Sequence, residues 1–162
     1  MLEHFRRLAA YNRWANGRLL EDLAGLDRAA LHAGEPGVNF GSILGILNHL
    51  LLGDRLWLSR FLGGAAPNFH ERMPYPEFAD FKAVREAEDA RIADFAAGLD
   101  PARLGEVLEY TTTGGVHIAA PMAVCVFHFF NHQTHHRGQV HALMGRHGVE
   151  ARDIDLIYFV QE

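Results

Sequence analysis

The stretch "FNHQTHHRGQ", residues 130–139, places three histidines within five positions of a segment with helical patterning. At about 100° per residue, His132 and His136 lie about 40° apart on one face and one turn apart along it. That is the spacing at which two imidazoles converge on one metal ion. His128 extends the row by a turn. His135 sits about 60° to the side, so a pair of His132 with His135 points inward less directly, and His141, about 180° away, faces the other way. The flanking Phe127, Phe129 and Phe130 imply that some of these imidazoles are buried, and buried imidazoles need partners. His49, in the centre of the apolar run "ILGILNHLLLGD", poses the same problem on a second segment. A divalent ion shared between the two segments would take up its lone pair. Three histidines from two helices form a facial set that leaves coordination positions open, as catalytic zinc sites do. For each histidine alone, the alternative is an ordinary hydrogen-bonded residue of the core or surface.

Two familiar metal plans are absent from the residues. "HQTHH" carries Gln133 where H-E-x-x-H metalloproteases place their general base, and no Glu-x-x-His pair of the di-iron type occurs. Cys125 is the only cysteine, so neither an intrachain disulfide nor a thiolate zinc cluster can form. It precedes His132 by seven residues, about 10 Å of helical rise, which is too far to share its ion; it reads as core. Supporting candidates are Asn12, Glu88 and Arg137. Asn12 interrupts an apolar stripe and could orient water or substrate, or else bond a neighbouring helix. Glu88 falls near an inner stripe, as an outer partner of a ligand or as a solvated charge. Arg137 and Gln139 read as polar contacts at the helix edge or a dimer interface, with Arg137 also able to meet an anionic substrate.

The elements that must position these residues follow from periodicity and punctuation. Residues 2 to about 26 carry Phe5, Leu8, Ala15, Leu19 and Leu23 at helical spacing. Ser42 is a helix N-cap and Gly63 or Gly64 a terminator for a second helix, apolar on nearly every side. Phe78, Phe81, Val84, Ile92 and Phe95 form the stripe of a third, closed by Gly98 and Pro101. "EVLEYTTTGGVHIAAP" reads as a short β-hairpin turning at Gly114 and Gly115. Pro121 then suits the first turn of a long fourth helix reaching about residue 146. The tail "DIDLIYFVQE" is apolar enough to pack back. Tyr11 and Trp14 lie off the main stripe of the first helix and hint at a second apolar surface, hence a partner subunit.

A chain of 162 residues with 49% hydrophobic and 22% charged content fits one globular domain, residues 1–162. The fold class is all-α, a helical bundle. A net charge of −5 offers no basic surface for nucleic acid, and no apolar run is long enough to span a bilayer. The charged amino terminus does not read as a signal peptide, so a cytoplasmic location is expected.

"YNRWANGRLL", "NHLLLGDRLW", "NHQTHHRGQ" and "DIDLIYF", four ordered blocks spanning nearly the whole chain, together resemble the DinB family, the damage-inducible-protein group within the DinB/YfiT-like superfamily. The resemblance implies an up-and-down four-helix bundle, commonly a homodimer, holding a divalent ion by one histidine of the second helix and two of the fourth. Carried over, these are His49, His132 and His136, the same three that spacing and burial select. It also implies a place among thiol-dependent transferases and isomerases that act with low-molecular-weight thiols, although many relatives have no established reaction. Zinc or nickel are the first expectations for the ion, with iron or manganese also admissible. The expected chemistry is activation of a small thiol for transfer. Metal-dependent hydrolysis of a small ester or amide, and non-catalytic metal binding in a stress response, are the alternatives.

Overall fold

Four long helices form where an apolar repeat of helical period meets residues that stop a helix. In the computed structural model, which describes residues 1–161, the chain runs α1 (Leu2–Leu23), α2 (Arg28–His32), α3 (Ile43–Leu62) and α4 (Phe78–Ala97). It continues through α5 (Pro101–Leu104), β1 (Val107–Thr111), β2 (His117–Pro121), α6 (Met122–Met144), a 3-10 turn at Gly145–His147 and α7 (Leu156–Phe159). The Ser42 hydroxyl accepts from the Gly45 amide and starts α3, while Gly63, at φ 72°, ends it. The all-α bundle with a hairpin before the last long helix is therefore as the sequence implies. Among the described residues, no helix is long and apolar enough to cross a membrane.

The hairpin pairs Thr111 with His117 and Val107 with Pro121. Its turn closes through the Gly115 amide donating to the Thr112 carbonyl, with Gly115 at φ 84°, a backbone state that favours glycine. Pro121 sits one residue earlier than the sequence suggests. It ends β2 and precedes α6 with ψ 131°, because its pairing with Val107 keeps it extended.

Two apolar clusters fix the bundle. One gathers Phe5, Trp57, Phe61, Phe95 and Phe129; the other gathers Leu19, Ile43, Leu47, Phe81 and Leu143. Reading each helix through the clusters gives its direction. Helices α1 and α6 run from the first to the second, whereas α3 and α4 run from the second to the first. The up-and-down path thus contains one parallel step, α3 to α4, and residues 63–77 travel the length of the bundle to make it. Helix α1 packs on α4 and α6, and α3 packs on the same two.

Between the clusters lies a buried polar layer to which every long helix contributes. Arg85 of α4 pairs with Asp54 of α3 and with Asp89 one turn along its own helix. Asn12 and Asn16 of α1 donate to Asp89 at 3.0 and 2.9 Å, Gln133 of α6 donates to Asp54 at 2.8 Å, and Arg137 donates to Asn12. Two arginines face two aspartates, so the layer is internally neutral. Burial pushes the Asp54 carboxyl up to about 6 against the opposing pull of Arg85 and Gln133, which leaves it ionised at pH 7.

The tail packs back in part. The Tyr11 hydroxyl donates to the Ile154 carbonyl at 2.8 Å, and Phe159 lies 6.1 Å from Tyr11 and 5.7 Å from Trp14 between ring centres. Part of the aromatic face from which the sequence argues for a second subunit is thus taken up within the chain, with Trp14 left half-buried. Leu156, Ile157, Tyr158 and Val160 stay exposed.

Changing Arg85 to Leu would leave Asp54 and Asp89 buried without their cation. A loss of about 3–5 kcal/mol at pH 7 is expected in urea unfolding; a loss below about 1 kcal/mol would mean that water, not Arg85, solvates the carboxylates.

Candidate metal centre

His49 projects from α3, and His132 and His136 from α6, across the contact between those helices. The approach is close because Gly53 faces α6: a Cβ at that position would meet His132 Cε1 at 3.0 Å. A side chain at position 53 would press on His132. One donor nitrogen from each of the three rings lies within 4.8 Å of the others. His132 Nε2 and His136 Nε2 are 3.1 Å apart, and the ring centres of His49 lie 5.4 and 4.6 Å from those of His132 and His136.

The side of His136 that faces away from the cluster is held by Gln139. Its Nδ1–H donates to Gln139 Oε1 at 2.8 Å, and the Gln139 amide donates onward to His135 Nε2 at 3.2 Å. This assignment of the network leaves the His136 Nε2 lone pair directed at the cluster. Burial, aided by the neighbouring imidazole of His136, lowers His49 to about 4 and His132 to about 3. Burial lowers His136 too. All three are neutral at pH 7, the state a metal ligand requires.

These residues fit a divalent ion. Donors about 2.0–2.1 Å from a tetrahedral zinc stand about 3.3 Å from one another, close to the spacing of the His132 and His136 nitrogens. The group contains neither carboxylate nor thiol, so an ion there keeps its double charge and its affinity for anionic ligands.

His49 makes no hydrogen bond among the described residues. Its orientation comes from Phe40, whose ring stacks on it with centres 3.6 Å apart and planes 11° off parallel. Phe40 is the one non-glycine residue described with positive φ, 69°, a costly state that persists only where surroundings impose it. One such constraint is visible in Gly45, where a Cβ would stand 2.0 Å from the Phe40 carbonyl oxygen. Phe40, Gly45, Gly53 and the role of Gln139 escape sequence reasoning. The available signal was two glycines inside an otherwise strongly apolar helix, which mark close backbone approach.

Beside the cluster opens a cavity of about 770 Å³ with His49, His132 and His128 in its wall. His128 packs its ring 5.0 Å from Trp57 and 6.0 Å from His132, next to the site and outside the donor group. The three supporting candidates lie elsewhere. Asn12 is buried in the polar layer, bonded to a neighbouring helix. Arg137 is 1% exposed and held by Asn12, which corrects the reading of a helix-edge or interface residue: its face of α6 turns toward α1. Glu88 is 2% exposed and paired with Arg55 and Arg91, which corrects the reading of a solvated charge. His141 faces away and meets the Arg152 carbonyl at 3.1 Å, and Cys125 is core.

If the Phe40 stack orients His49, changing Phe40 to Ala should weaken zinc binding about tenfold, the usual cost of losing an outer support of a ligand, while far-ultraviolet circular dichroism stays unchanged. An unaltered zinc dissociation constant would show that the stack is incidental.

The crystal structure of a DinB-like protein from Bacillus cereus ATCC 10987 matches with a TM-score of 0.64 at 18% identity, covering 89% of this chain and 91% of that one, a likeness of fold. No curated protein matches. The model of the DinB family matches residues 1–161, and the chain belongs to the DinB family.

Proposed function

We propose that this protein holds a divalent ion with His49, His132 and His136 and uses it to activate a small thiol for transfer to an electrophile. The observation that supports this is the position of the cluster. Three neutral imidazoles from two helices converge beside a cavity large enough for a small molecule, with no fourth protein donor in the group among the described residues. When bound, the ion supplies Lewis acidity, lowering the pKa of a thiol or water in an open coordination position. Zinc or nickel suits the imidazole set, and iron or manganese is compatible with it.

The protein's own part is placement and proton handling. His49 and His132 stay neutral because burial holds their pKa values down, so they remain donors at neutral pH. His128, on the cavity wall, is lowered by burial and by Arg60; it is neutral and free to accept the proton that a thiol releases. Asn12, Glu88 and Arg137 act by holding the helices rather than by touching a substrate. The second reading, hydrolysis of a small ester or amide, draws on the same His128 as acceptor for a proton of water.

The test is spectroscopic. In the cobalt-substituted protein, cysteine or another small biological thiol should produce a sulfur-to-cobalt charge-transfer band in the near ultraviolet, and His136→Ala should abolish both the band and cobalt retention. If no thiol perturbs the spectrum of the fully loaded protein, thiol transfer loses its physical basis, and hydrolysis or non-catalytic binding takes its place.

A further inference from the structure

The cavity beside the three histidines is chemically one-sided. Leu52, Leu56 and Trp57 of α3 and Phe69 and Met73 of the crossing segment give it apolar walls. The chain carries 20 acidic residues and a net charge of −5, yet among the described residues not one Asp or Glu lines this cavity. The single permanent charge in its wall is Arg72, on the same crossing segment, which has no hydrogen bond or ion pair among the described residues. A chamber with an apolar side, three imidazoles and one exposed guanidinium, and no carboxylate among the described residues to repel an anion, is complementary to one kind of small molecule.

We infer that the cavity binds an organic carboxylate with an apolar body: the body lies along Leu52, Leu56 and Trp57, and the carboxylate meets Arg72. A planar carboxylate matches the guanidinium fork, whereas a phosphate group generally draws several cations, and the described wall holds one. The inference rests on the reading of this cavity as a substrate chamber, and it names the chemical class of the thiol's co-substrate.

The test uses the full chain stripped of metal, so that only protein groups can attract the anion. Two probes of equal shape, 4-phenylbutyrate and 4-phenylbutanamide, are titrated and followed by amide and tryptophan indole shifts in NMR. The acid should bind about fivefold more tightly than the amide, the upper range for a solvent-accessible ion pair. Arg72→Gln should remove that preference and leave the amide's affinity unchanged, and Leu56→Trp, which fills the chamber, should weaken both probes. Equal binding of acid and amide, a preference that survives in Arg72→Gln, or indifference to Leu56→Trp would each overturn the inference. A preference for the acid that depends on Arg72, beside a cobalt spectrum blind to thiols, would overturn thiol activation alone.

Discussion

Asp54 is held from two sides, by Arg85 of α4 and by Gln133 of α6, in the dry centre of the bundle. Its carboxylate has to stay paired, because an isolated buried charge costs several kcal/mol. That requirement fixes the axial register of α3 against α6. Gln133 is the residue after His132, and Asp54 the residue after Gly53, so the bond between them sets the height at which His132 enters the notch that Gly53 leaves. From there His136 follows one turn later on α6, and His49 one turn earlier on α3. The geometry of the histidine cluster is thus inherited from a polar contact that lies behind it.

The same layer explains how a bundle with one parallel step keeps a single arrangement. Two apolar clusters of similar character could slide or exchange at little cost, since burial of hydrocarbon is indifferent to direction. Hydrogen bonds to Asp54 and Asp89 from α1, α4 and α6 are satisfied in one register only. The site is then built on rigid elements, with one strained loop residue, Phe40, laid over it. The loop stands where the positioning helices leave one imidazole of the cluster without a hydrogen bond among the described residues, at His49. Stacking substitutes there for the acceptor that Gln139 provides to His136.

How much of this the amino-acid order reveals depends on the range of the interaction. The histidine cluster is legible because its logic is local: His132 and His136 share a face by helical spacing, and His49 stands out as a polar residue in an apolar run. The four helices and the hairpin are legible for the same reason, through Ser42, Gly63, Gly98 and the Gly114–Gly115 turn. The polar layer is not, because it joins residues as far apart as Asn12 and Arg137. From its own helix Arg137 looks like an edge residue and Glu88 like a solvated charge; only the partners brought by other helices account for their burial. The parallel step from α3 to α4 is equally hidden, since a segment such as residues 63–77 has no periodicity to betray its path. Phe40 is a third case, an aromatic in a glycine-rich loop whose backbone conformation depends on Gly45.

The central claim is that three imidazoles, and no other protein group, bind the ion. X-ray absorption at the metal edge of the zinc-loaded or nickel-loaded protein tests it most directly. The account predicts multiple-scattering features of three imidazoles with nitrogen about 2.0–2.1 Å from zinc, the remaining positions filled by solvent oxygen, and one imidazole fewer in His49→Ala. A fourth imidazole, a carboxylate or sulfur ligand from the chain, or a spectrum unchanged by His49→Ala would contradict it.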